Sequence, residues 1–129
     1  MRTVGYAYSP QFLKHDYWDH PECKGRLESV VSLLERSGML SALSPITFAP
    51  ASKDTLALIH DRDYIEELDR FCIHGGGMVG ADTYAVEESF DVAALAVGAT
   101  IASARAVLQD DVQRAFALVR PPGHHAFAD

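Results

Sequence analysis

Two adjacent histidines, His124 and His125, follow Arg120-Pro121-Pro122-Gly123 near the end of this sequence. Imidazole changes charge near neutrality, so one ring can pass protons to and from a substrate while its neighbour tunes the local field. An apolar run from Ala115 to Val119 precedes them. In open α/β sheets, groups that meet ligands gather beyond the carboxyl ends of strands. A solvated surface turn would carry the same residues with no chemistry, and the spacing alone leaves both readings open. Other candidates are weaker. His15, His20 and Cys23 have a loosely metal-like spacing but match no open catalytic zinc pattern. Cys72 and His74 stand beside Gly75-Gly76-Gly77, and no phosphate-loop Lys-Ser or Lys-Thr follows, which argues against a nucleotide cradle.

The elements that must position these residues are read from periodicity. Val4 to Tyr8 is β-branched and aromatic and ends at Ser9-Pro10, which predicts a strand. The stretch through His20 lacks periodicity and reads as a loop. Pro21 suits a first helical turn, with Asp19 or His20 capping and Glu22 near the positive end. Leu27, Val30, Val31 and Leu34 continue that helix to a stop at Gly38. Ile46 to Ala49, closed by Pro50, predicts a second strand. Ser52 caps a short helix carrying Leu56 and Ile59, and Asp61 or Asp63 opens another with Tyr64, Ile65, Leu68 and Phe71 on one face. Gly75 to Gly77 is a turn. From Ser89 to about Gln109 a long helix carries Leu95, Ala99, Ala102 and Ala106, a stripe of small residues suited to close packing on a sheet. Ala115 to Val119 reads as a strand buried on both faces, the pattern of a parallel sheet. The alternation gives an α/β fold, a parallel sheet flanked by helices, and residues 1–129 read as a single domain.

Composition bounds the function. With 48% apolar and 22% charged residues the chain is globular, and a net charge of −7 argues against nucleic acid as the main partner. Two cysteines do not make a disulfide framework and fit a reducing compartment. The start lacks a signal-peptide apolar run, and Val92 to Val107 is interrupted by Gly98, Thr100, Ser103 and Arg105, so it is not read as a membrane span. The expectation is a cytoplasmic protein with no membrane partner.

Four collinear segments carry a resemblance. They are His20-Pro21-Glu22 with Arg26-Leu27, Leu56 to Ile65 with His60 and Tyr64, Asp82-Thr83-Tyr84 with Ser89 and Ala93-Ala94, and Arg120-Pro121-Pro122-Gly123-His124-His125-Ala126. Together they resemble the N-terminal portion of the histone deacetylase family, which also covers acetylpolyamine amidohydrolases and acetoin-utilisation proteins. The resemblance implies a partial arginase/deacetylase-like three-layer fold and hydrolysis of acetylated amines such as acetyl-lysine or acetylpolyamine. It implies that His125 is the general base and later the acid for the leaving amine, with His124 its electrostatic partner. Arg26 would line an internal channel and favour an anionic product such as acetate, or else form a structural ion pair at the helix start. His20 would lie near the pocket rim or serve packing.

The resemblance also implies zinc in the complete domain, held by an Asp-x-His pair and a further Asp beyond the tandem histidines, with a later tyrosine on the substrate carbonyl. No Asp-x-His occurs in this sequence. The expectation is therefore that this chain alone binds no metal and is not a competent deacetylase. Val79, Gly80 and Ala81 offer no polar side chain where relatives often contact the substrate backbone, which leaves the acetylated amine open. Two outcomes follow for partners: a complementing C-terminal polypeptide, or self-association through the exposed strand Ala115 to Val119. The competing reading is a non-catalytic oligomeric binding or scaffold protein that retains half of the deacetylase fold.

Overall fold

Val4–Ala7 (β1) is the central strand of a three-stranded parallel sheet in the computed structural model, which describes residues 3–129. On one side β1 pairs with Ser44–Pro45 (β2), and on the other with Arg114–Ala117 (β5), Val4 lying opposite Arg114 and Ala7 opposite Ala117. Parallel neighbours need long crossovers. The chain supplies Lys24–Arg36 (α1) between β1 and β2. Between β2 and β5 come Lys53–Leu56 (α2), Arg62–Ile73 (α3), a small antiparallel hairpin of Gly77–Met78 (β3) and Tyr84–Ala85 (β4), and Ser89–Leu108 (α4). The α/β class read from the sequence is the observed one.

The core gathers where α1 and α4 meet the sheet. Ala7 and Phe12 are fully buried, joined by Leu27 and Val31 of α1, Val92 and Ala99 of α4, and Leu118 beyond β5. The small-residue stripe of α4 allows close approach: Ala99 and Ala106 are buried, Leu95 and Ala102 half-buried. By length and composition α4 could cross a bilayer, but here its buried side packs on β1 and β5.

Several local expectations are corrected. The segment after β1 is not a plain loop, because Ser9 caps a 3-10 turn over Pro10–Lys14 that carries Phe12 into the core. Pro21 lies outside α1, which begins at Lys24 after an N-cap Cys23 that makes no side-chain cap bond. Asp16, from the loop upstream, supplies the carboxylate instead, accepting the Lys24 N–H at 2.8 Å. The second strand falls at Ser44–Pro45 rather than Ile46 to Ala49. After Ile46 donates to the Tyr6 carbonyl at 2.8 Å, the chain leaves the sheet and runs against α4, where the Ala51 N–H bonds the Ala94 carbonyl at 2.9 Å. That crossing needs Gly98, since a Cβ there would sit 1.8 Å from the Ala49 oxygen.

Ser52 caps α2 as expected, accepting from the Thr55 N–H at 3.2 Å, but Ile59 lies beyond the helix and is exposed. On α3 the buried residues are Ile65 and Cys72, while Phe71 is partly exposed. The three glycines do turn the chain, and they lead into the β3–β4 hairpin that the sequence did not disclose. The strand expected from Ala115 to Val119 is present, yet it is an edge strand. Its outer edge has no strand partner among the described residues, as expected for this chain alone, and Phe116, on the face opposite Ala115 and Ala117, is 59% exposed where burial on both faces was expected for the complete sheet.

Candidate functional site

The chain leaving β5 turns inward once before it reaches the histidines. Leu118 N–H extends the ladder to the Ala7 carbonyl at 2.9 Å, and two residues later Arg120 is only 3% exposed. Its guanidinium joins three segments distant in sequence. Nε donates to Oε1 of Glu22 at 3.3 Å, and Nη2 pairs with Oε2 of the same carboxylate. Nη1 donates to the carbonyls of Phe12 and His15, and Nη2 also reaches the Tyr84 hydroxyl at 3.2 Å. Every nitrogen of the group has a partner, which is what allows a guanidinium to sit in the interior. Burial works against its charge, but the hydrogen bonds to Glu22 and Tyr84 prevail and raise its pKa above the ordinary arginine value.

Tyr84, from β4, closes the cluster. Its hydroxyl donates to the Glu22 carbonyl at 2.8 Å, and its ring stacks on His15 with centroids 4.6 Å apart. Burial raises the Tyr84 phenol pKa, against the pull of Arg120. His15 is itself buried, with Nδ1 2.7 Å from the hydroxyl of Ser89, whose oxygen also accepts the Val86 N–H at 2.7 Å. Burial first, and then the neighbouring Arg120 charge, push the His15 pKa down to about 4, so its ring is neutral at physiological pH.

His20, expected at a pocket rim or in a packing role, is held through both ring nitrogens. Nδ1 accepts the Glu22 N–H at 3.0 Å, which places the proton on Nε2, and Nε2 donates to the Asp82 carbonyl at 2.8 Å. Arg26, expected in an internal channel or in an ion pair, has a side chain 64% exposed and pairs with Glu22 at 3.2 Å. Among the described residues the buried guanidinium is that of Arg120. His124 and His125 occupy the middle of a turn closed by the Ala126 N–H to the Gly123 carbonyl at 3.1 Å. Their ring centroids are 4.2 Å apart and both rings are exposed. Two imidazoles within contact, presented beyond the end of a parallel strand, can share or relay a proton.

Among the described residues no three His, Cys, Asp or Glu side chains converge to hold a metal ion. His15, His20 and Cys23 are not an exception: His20 is committed to backbone atoms and His15 to Ser89. The donor set of these residues therefore does not itself fit a zinc centre. A groove of about 930 Å³ between residues 44–52 and α4 includes neither the tandem histidines nor the Arg120 cluster.

In the sequence Glu22 stands near the expected helix start and Arg120 next to the end of an apolar run, and neither position discloses the pairing of the two. Nor does the sequence disclose Tyr84 and His15 as partners of Arg120. The available signal was an arginine at the end of an apolar strand, where a buried charge demands a carboxylate.

The geometry defines an α/β fold with a tandem-histidine turn beyond the carboxyl end of its sheet, and known proteins share the fold. A family model described as the histone deacetylase domain matches residues 20–129. A probable deacetylase of Methanothermobacter thermautotrophicus is 36% identical over 124 residues, covering 95% of this chain and 36% of that protein. The histone deacetylase-like amidohydrolase of Pseudomonas aeruginosa is 37% identical over 111 residues, covering 86% of this chain and 28% of its own length. The crystal structure of the HDA15 HD domain superposes with a TM-score of 0.92 at 28% identity, over 98% of this chain and 37% of that one. This chain belongs to the histone deacetylase family. It spans about a third of the length of these relatives.

Proposed function

We propose that the chain is the tandem-histidine part of a zinc-dependent deacetylase acting on acetylated amines, and that it needs residues outside these 129 to complete the site. The observation that carries this reading is the exposed His124–His125 pair, 4.2 Å apart at the carboxyl end of a parallel sheet, in a chain of the deacetylase family. Hydrolysis of an amide needs a base to take a proton from the attacking water and an acid to hand one to the departing amine. His125 fills both roles in turn, and His124 sets the field in which it does so. A bound zinc ion would lower the pKa of water and polarise the carbonyl in the complete site. Family membership supports that expectation, and among the described residues no three His, Cys, Asp or Glu side chains are grouped to hold the ion.

The test is turnover of a generic acetyl-lysine reporter with added zinc, by the chain alone and with a polypeptide carrying the remaining deacetylase segments. Turnover in the mixture that His125→Ala abolishes supports the reading. Turnover that survives His125→Ala refutes the assigned role. A second reading has one observation in its favour: β5 is an open edge with Phe116 exposed, which suits a non-catalytic binding module that assembles through this strand.

A further inference from the structure

We propose that Glu22 and Arg120 are positioning residues for the tandem histidines, their buried ion pair setting the direction of the turn that carries His124 and His125. This rests on reading that pair as the proton-transfer groups. Only Pro121, Pro122 and Gly123 separate Arg120 from His124, and two pyrrolidine rings restrict φ, so little slack lies between the anchor and the imidazoles. The anchor itself is over-determined. A planar guanidinium held by one carboxylate through Nε and Nη2, by two carbonyls through Nη1 and by a phenol has a fixed orientation as well as a fixed place.

Stability alone does not call for this arrangement, because a buried ion pair is often matched by well-packed apolar side chains. What it adds is direction. Glu22 also ties in the second histidine-bearing segment: its N–H bonds Nδ1 of His20, and its carbonyl accepts from Tyr84. One residue thus registers the His20 loop, the β3–β4 hairpin and the tandem-histidine turn against each other.

The experiment is NMR of the isotopically labelled 129-residue chain, reading the cross-peak between the His124 and His125 rings and their imidazole nitrogen shifts. Glu22→Gln keeps the shape and removes the charge; Arg120→Lys keeps the charge and removes the fork. Both variants are expected to lose the inter-ring cross-peak and to move the nitrogen shifts of both histidines. Lys53→Met, which breaks the surface pairs with Glu66 and Asp69, is expected to leave them unchanged. Folded variants at Glu22 and Arg120 whose His124 and His125 signals superpose on the unaltered chain overturn the proposal. If those two variants do not fold, Tyr84→Phe removes a single hydroxyl contact to Arg120 and decides in the same way. No turnover enters this readout, so failure of the deacetylase reading and failure of the positioning role are distinguished.

Discussion

The imidazole of His15 lies nearly flat on the ring of Tyr84, 8° from parallel with centroids 4.6 Å apart. The contact joins the loop that follows the first strand to the segment that leads into α4. His15 bonds Ser89 at the start of that helix, and its own carbonyl accepts from Arg120. A single neutral histidine thus connects the first and last parts of the chain.

Burial and Arg120 hold the His15 pKa at about 4, below the ordinary value of 6.5. Between those values the unfolded chain binds more protons than the folded one, so stability is complete above pH 6.5 and falls as the pH drops toward 4. The loss expected from this residue is about 3 kcal/mol. Chemical denaturation at pH 7 and pH 4.5 should show a smaller drop for His15→Gln than for the unaltered chain. Equal drops would mean that His15 is not the group that titrates.

Gly98 sets how closely residues 49–51 cross α4. Alanine is the better helix former by about 1 kcal/mol, so propensity alone predicts that Gly98→Ala stabilises. The Cβ, however, would lie 1.8 Å from the Ala49 carbonyl oxygen, which is backbone and cannot rotate away. Overpacking should win, with a net loss of about 2 kcal/mol and a lower melting temperature. A rise in melting temperature would show that the 49–51 segment lifts off the helix at little cost.

Phe116 stands exposed on a strand with one unpaired edge, the arrangement through which sheets recruit other chains. The isolated chain is expected to sediment as concentration-dependent oligomers, and Phe116→Lys to shift it toward monomer. Monodisperse monomer at all concentrations, with no effect of the substitution, would place any association surface elsewhere.

The sequence disclosed elements with strong periodicity and hid those set by distant partners. The long α4, the Leu27–Val31 face of α1 and the Ser52 cap were legible because their causes are local. The true start of α1 was not. Its first N–H is satisfied by Asp16, and Glu22, placed by local rules at the helix end, is drawn to an arginine 98 residues away. The strand at Ser44–Pro45 was likewise missed, since a ladder this short is defined by β1 rather than by its own composition. For the site, motif and family resemblance located His124 and His125. The cluster of Glu22, Tyr84 and Arg120 became visible only through burial, because nothing in the spacing of these residues brings them together.

Glu22 serves two arginines, and the two pairs should differ widely in worth. Arg26 is 64% exposed, so water and salt screen its attraction to the carboxylate, and Arg26→Ala is expected to cost about 0.5 kcal/mol or less. Arg120 is 3% exposed, and Glu22→Ala leaves its guanidinium in the interior without a countercharge. Removing one partner of a buried pair strands the other, which should cost about 3 kcal/mol. Added salt should narrow the small Arg26 effect and hardly alter the Glu22 effect, since screening reaches the exposed pair first. Urea unfolding of both variants at low and high salt measures all four quantities. Similar losses for the two variants would mean that the Glu22–Arg120 pair is as solvated as a surface pair, and that the Phe12 and His15 carbonyls, with Tyr84, suffice to hold the arginine in place.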